Sequence, residues 1–240
     1  LVLNYIQSIK PKHSSDNDDI SMYLIHQVAI HIIEPLVHII NLSFSQGIFP
    51  DRMKISKIIA IYKGGLSSLL DNFRGVSLIN CFSKIIERIV YARLMIFLEE
   101  GNFFYKHQFG FRKNYSTQHA ILALVNKVTE ALANNKVAMI VLLDIRKCFD
   151  MVDRNILLIK LEHYGIRGKC LDWFRSYFSG RSQRMFFNGI SSSKLEQIIL
   201  GVLQGSVLGV LLFLIFINDL GECCTNLISF LFADDNASYL

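Results

Sequence analysis

Two continuous apolar runs, each ending on aspartate, constrain this chain more than any other feature. Residues 137–143 read VAMIVLL and stop at Asp144; residues 227–233 read LISFLFA and stop at Asp234-Asp235. Short apolar runs closed by a turn-forming residue predict strands, and unbroken apolarity, for 137–143 in particular, predicts burial on both faces. Burying isolated carboxylates is costly unless something neutralises them. Adjacent side chains of an extended chain point to opposite faces, so only one of Asp234 and Asp235, taken as Asp234, would lie beside Asp144 if the two strands are neighbours. That pair would form a hard-oxygen site suited to Mg2+, which needs one or two carboxylates and draws its other ligands from water and phosphate. The plainer alternative is that each aspartate ends a strand and opens a turn.

Of the 240 residues, 52% are hydrophobic and 19% charged, which excludes a disordered chain. A formal charge of +5 is compatible with a polyanionic partner and does not require one. The five cysteines, Cys81, Cys148, Cys170, Cys223 and Cys224, are odd in number, with no C-x-x-C among them. A disulfide scaffold or zinc module is therefore not expected, and a reducing compartment, cytoplasm or nucleus, fits better. The chain starts with Leu and has no signal peptide, which reads as a piece of a longer frame.

Helical periodicity covers Ile20 to Leu42, with Pro35 expected to break or kink it near Glu34, and Gln46-Gly47 as its stop. A strand is expected at Ile55 to Tyr62 and another at Val76 to Ile79. The helix Ser83 to Glu100 should turn Ile85, Ile86, Ile89, Val90, Leu94 and Phe97 inward, and Lys84, Glu87, Arg88 and Arg93 outward. Ser116 can cap a helix to about Ala133 with a buried stripe of Ile121, Leu122, Leu124, Val125, Val128 and Leu132. Asp153 is a cap for a helix over 154–164, and another helix covers about 168–178. Asn188-Gly189 suggests a hairpin turn. The irregular alternation predicts an α+β fold.

The ordered motifs resemble those of reverse transcriptases from non-LTR (LINE-like, jockey-type) retrotransposons. Phe232-Ala233-Asp234-Asp235 is similar to their aromatic-Ala-Asp-Asp signature, and Leu143-Asp144-Ile145-Arg146-Lys147-Cys148-Phe149-Asp150 to their earlier Asp motif. The stretch from Gly201 through Gln204-Gly205-Ser206 to Gly209 resembles a Gly-x-Pro-Gln-Gly-Ser block. Gln108-Phe109-Gly110-Phe111-Arg112, Asn72 to Leu78 and Leu161 to Gly168 also match. The resemblance covers roughly residues 45–240.

It implies a right-hand polymerase: an N-terminal helical extension over 1–50, fingers over 51–136, and an incomplete palm over 137–240 with an antiparallel sheet and packed helices, the thumb missing. It implies RNA-directed DNA polymerisation, with two Mg2+ ions (or Mn2+) serving nucleotidyl transfer to a primer 3′-hydroxyl. Its partners would be an RNA template, a DNA primer and deoxynucleoside triphosphates. Asp144, Asp234 and Asp235 would be catalytic, with Asp144, the carbonyl of Ile145 and Asp234 as metal ligands and Asp235 the weaker third carboxylate. Phe149 would be the steric gate under the sugar. Gln204 and Gly205 would line the nucleotide pocket, and Lys63 and Arg74 would neutralise the triphosphate. Asp150 and Asp153 match structural positions.

Phe103 to Tyr115 interleaves aromatics with Lys106, Arg112 and Lys113. It reads either as a single-strand track, with Phe109, Phe111, Arg112 and Lys113 as contacts, or as an aromatic cluster under a loop. Three prolines expected from the family are absent: Gly75, Leu203 and Val210 stand in their places. These losses and the stop five residues after Asp235 keep a second reading open, a decayed RNA-binding remnant without activity; little processive synthesis is expected of this piece alone. A third reading is a membrane protein. Residues 198–217 are uncharged, long enough to span a bilayer, and carry Gly201, Gly205 and Gly209 at the spacing of packed spans. Central Gln204 and Ser206 speak against it, and no membrane is expected.

Overall fold

The computed structural model describes residues 1–187, 190–192, 194–223 and 225–240. Its elements are α1 (Val2–Ser8), α2 (Met22–Gln46), β1 (Ile55–Tyr62), β2 (Phe73–Ile79), α3 (Cys81–Glu100), α4 (Thr117–Ala133), β3 (Ile140–Asp144), α5 (Arg154–His163), α6 (Lys169–Phe178), β4 (Ser182–Phe187), β5 (Ile190–Ser191), β6 (Glu196–Gln197), α7 (Val207–Ile217), β7 (Ile228–Phe232) and β8 (Asp235–Tyr239). The expected mixed α+β class holds. The Asn188-Gly189 turn lies outside the described residues, as does Cys224.

Local chemistry sets most boundaries. The Ser21, Asn80, Ser116, Asp153 and Ser206 side chains accept first-turn amides of α2, α3, α4, α5 and α7. Gly47 closes α2 in a left-handed conformation, φ 70°. Of the expected break or kink at Pro35, the break does not occur: α2 is continuous through it. Pro35 and His31 are both exposed, so the carbonyl deprived of its helical partner faces water.

Two sheets form. β1 pairs antiparallel with β2 on one side and parallel with β4 on the other; β4 also pairs with β5 and β6. The smaller sheet has the order β3-β8-β7, all antiparallel. α7 is the centre of the helical core. Leu208, Leu211, Leu212 and Leu214 are fully buried, and the helix packs on α3 and α5. An aromatic group joins α2 to α6: Trp173 stacks on Tyr177 at 5.5 Å and donates to Ser43 Oγ at 3.0 Å.

Three burial expectations fail. β3 is exposed along its length, Leu142 by 76%, because β8 is its one extensive element contact and, among the described residues, no helix covers its faces as α4 covers part of β7. α4 rests on β7 and leaves Ile121, Leu122, Val125 and Leu132 exposed instead of burying them as a stripe. On α3, Glu87 is not outward: it is fully buried, while Phe97 is exposed. Residues 198–217 do not form a span. Irregular chain leads into α7, an 11-residue helix buried in the protein core. Among the described residues the one helix apolar and long enough to cross a membrane is α2. It packs on α1, α3 and α6.

Candidate active site

The β7–β8 hairpin turns through two residues, Ala233 and Asp234, between the paired Phe232 and Asp235. Ala233 has φ 60°, as the first central residue of a type II′ turn requires. β3 lies on the other side of β8, and its last residue, Asp144, is the register partner of Asp235. Directly opposed residues of antiparallel strands share a face, with Cα atoms roughly 4.5–5.5 Å apart. The residue across from Asp144 is therefore Asp235, not Asp234 as the alternation of an extended chain suggested. The turn takes Asp234 out of the strand. Its Oδ2 accepts from Cys148 Sγ at 3.4 Å. Burial first, and then that carboxylate, push the Cys148 thiol up to about 12.

The turn is held from behind. Leu231 donates to His107 O at 2.9 Å, and Phe109 donates to Leu231 O at 2.8 Å, so residues 107–109 run beside β7 as a short parallel bridge. Gln108, fully buried, accepts the Gly110 amide at 2.9 Å and the Ala233 amide at 3.3 Å through Oε1. Its Nε2 is buried with no hydrogen-bond partner among the described residues. A Cβ at Gly110 would lie 2.2 Å from Ala233 N, so this close approach requires glycine. The sequence contained Gln108 within a matching motif but gave no sign of this contact.

Positive charge collects beside Asp150, in the loop after β3. Arg74 pairs across from Ile61, and Lys63 follows the same β1–β2 hairpin, its amide donating to Asn72 O at 2.8 Å. Both are exposed. Burial raises the Asp150 carboxyl above its ordinary range, while the fields of Lys147, Arg74 and Lys63 oppose that rise. The three cations are therefore electrostatic neighbours of the loop after β3. Asp71, between β1 and β2, meets Arg146 Nη2 at 3.3 Å and Lys147 Nζ at 3.7 Å. All three side chains are exposed, so these contacts position the hairpin weakly.

Ile145 is half-buried. Phe149 stacks on Phe213 of α7 at 4.4 Å and accepts the Val202 amide on its carbonyl at 2.9 Å. Gln204 O accepts the Ser77 amide at 2.9 Å, which ties this loop to β2. Gly205 has φ 100°, and a Cβ there would stand 2.8 Å from Ser77 O. Behind the loop, Glu87 accepts from Val207 N (2.9 Å), Leu208 N (3.3 Å), Ser83 Oγ (3.1 Å) and Tyr177 Oη (3.0 Å). One buried carboxylate thus joins α3 and α6 to the N-terminus of α7, where the helix dipole favours negative charge.

The aromatic–basic segment divides. Phe104, Tyr105 and Phe109 are buried, as in the aromatic-cluster alternative. Arg112 forms an ion pair with Glu99 at 2.8 Å and lies over Phe104 and Tyr115. Phe111, Lys113 and Tyr115 are exposed. Phe109, Lys113 and Tyr115 help line a cleft of about 900 Å3 between α3 and α4.

Among the described residues no group of three or more His, Cys, Asp and Glu lies close enough to hold a metal ion. The fit to Mg2+ accordingly rests on the opposed oxygen donors of Asp144 and Asp235, both exposed. Two protein carboxylates suffice for an ion that takes its other ligands from phosphate and water.

The overall fold is shared with an apo telomerase from Candida tropicalis lacking its C-terminal domain. The TM-score is 0.58 at 13% identity, covering 87% of this chain and 48% of the other. Residues 61–239 match the family "Reverse transcriptase (RNA-dependent DNA polymerase)", and the chain belongs to that family. It is 31% identical over 220 residues to the RNA-directed DNA polymerase from mobile element jockey of Drosophila funebris, and 30% identical to that of Drosophila melanogaster. It is 28% identical to a probable RNA-directed DNA polymerase from transposon BS of Drosophila melanogaster. Each comparison covers 91% of this chain and 24% of the relative, so the chain spans about a quarter of their length.

Proposed function

We propose that this chain is the fingers and palm of a retrotransposon reverse transcriptase, adding deoxynucleotides to a primer 3′-hydroxyl under the direction of an RNA template. Its partners are then the template, the primer and deoxynucleoside triphosphates inside the cell. The observation that carries this reading is the register pairing of Asp144 with Asp235 at the tip of the β7–β8 hairpin, with Asp234 in the adjoining turn. Residues 1–50 are read as a helical extension, 51–136 as fingers and 137–240 as palm, with β4–β6 lending strands to the sheet of the fingers.

Asp144, Asp234 and Asp235 would together hold two Mg2+ ions (Mn2+ being the alternative) with the Ile145 carbonyl, Asp144 and Asp235 as register partners and Asp234 from the adjoining turn. When bound, such ions activate an attacking hydroxyl and stabilise a leaving oxygen. The remaining work belongs to the chain. Lys63 and Arg74 attract the triphosphate, Arg as a forked donor and Lys as a point charge. Phe149, braced by Phe213, would restrict space at the sugar. Gln204 and Gly205, fastened to Ser77, would form the floor of the nucleotide pocket. Phe109, Phe111, Arg112 and Lys113 complete the assignment as a strand-binding segment, where exposed Phe111 and Lys113 are free for contact and Phe109 and Arg112 would shape the loop.

The test is single-nucleotide addition to a primed RNA, with RNA binding measured beside it. Asp144→Asn should abolish addition and leave salt-sensitive RNA binding intact, since removing a carboxylate does not weaken phosphate attraction. Equal behaviour of parent and variant in both assays would remove the support for an enzyme.

A further inference from the structure

Outside the aspartate end, α2, α3, α6 and the loop before α6 line an open cavity of about 410 Å3. Phe44, Leu94, Phe97, Ile166 and Phe174 supply apolar wall, and Trp173 lines it as well. That volume lies in the roughly 300–1,000 Å3 range of small-molecule sites. The charged lining is of one sign: Arg93, Arg167 and Lys169, with no carboxylate among the lining residues. None of the three forms an ion pair among the described residues. Arg93 lies over the Phe44 ring at 5.7 Å, and Lys169 Nζ is 3.5 Å from the Gln46 carbonyl.

Arg93, Arg167 and Lys169 are exposed and give the lining one sign of charge, so an anion there meets attraction and no opposing carboxylate. A small inorganic anion would lose hydration against the apolar wall and recover little from it. A body of apolar carbon ending in one negative group satisfies both parts of the lining. We infer that this cavity binds an amphipathic carboxylate, its aliphatic or aromatic body against Phe44, Phe97 and Phe174 and its carboxylate among Arg93, Arg167 and Lys169. The inference is independent of the polymerase reading, because it uses no residue of the aspartate site.

Trp173 is the chain's one tryptophan and lines this cavity, so its emission responds to an occupant there. The 240-residue chain is titrated with laurate below its micelle concentration. Laurate should change Trp173 emission saturably, and dodecyltrimethylammonium, with a similar tail and the opposite charge, should bind more weakly. Arg167→Gln and Lys169→Gln should each weaken laurate by up to about fivefold, the range of exposed ion pairs, and added salt should weaken it further. Dodecanol affinity should not respond to salt, a control that needs no variant. A linear laurate response, equal binding of the cationic surfactant, or laurate affinity indifferent to both salt and the two substitutions would overturn the inference. So would a saturable Trp173 response to short RNA where laurate gives none, which would assign the cavity to nucleic acid.

Discussion

Gln108 Oε1 accepts the amide hydrogen of Ala233 across 125 residues of sequence, at 3.3 Å. The same oxygen accepts from Gly110, so one buried side chain fixes the turn that carries Asp234. The orphaned Nε2 of Gln108 is a cost borne at this position, which indicates that the acceptor is what the site requires.

Gln108→Met keeps the length of the side chain and removes the acceptor. Stranding the buried Gly110 and Ala233 amides should destabilise the chain by about 1–3 kcal/mol, after the relief of losing Nε2. Urea denaturation measures this, and hydrogen exchange at Ala233 should accelerate. Unchanged stability together with unchanged exchange would show that the contact carries no weight.

Glu87 gives a pH signature. Burial raises its carboxyl above the ordinary 4.5, and the charge of Arg181 and the Leu208 amide only partly reverse this. Between the ordinary and the raised values the folded chain keeps a proton that the unfolded chain has released. Stability from this group is therefore full below about pH 4.5 and is lost as pH rises through the folded value. Glu87→Gln removes the titration. The stability of the parent minus that of the variant should fall as pH is raised from 4.5, in urea melts at a series of pH values. A difference independent of pH contradicts the assignment.

Phe149→Val opens space at the proposed sugar position and removes the stack on Phe213, a loss of about 0.5–1.5 kcal/mol. Discrimination against ribonucleotides should fall by roughly 10- to 200-fold, the usual value of a small change in pocket shape. Competing ribo- and deoxynucleoside triphosphates in single-nucleotide addition measure it. Unaltered discrimination would take Phe149 out of the sugar pocket.

Much of the local structure was legible in the sequence because its signals are local. Ser116 and Asp153 cap the helices they were expected to cap, and Gly47 closes α2. What failed depends on distant chain. Glu87 occupies a position that periodicity assigns to solvent, yet its donors Val207 and Leu208 arrive 120 and 121 residues later. The apolar residues of β3 and α4 show an affinity for cover, but sequence does not say which elements pack on them: β3 has β8 alongside and α4 rests on β7. Residues 198–217 pass a test of length and charge that a core helix with its leading loop also passes. At the candidate site the two strand ends were legible as a pair. The identity of the residue opposite Asp144 was not, because it depends on whether Asp234 belongs to the strand or to the turn.

The parallel pairing of β1 with β4 joins Ile55–Ile59 to Ser182–Phe186. A ribosome delivers β1 and β2 long before β4 emerges. During synthesis the early hairpin has an open edge on the β1 side, a template for mispairing with any other extended chain. The nascent protein thus completes its larger sheet late, and chaperone cover over that interval would raise the yield of correctly folded chain.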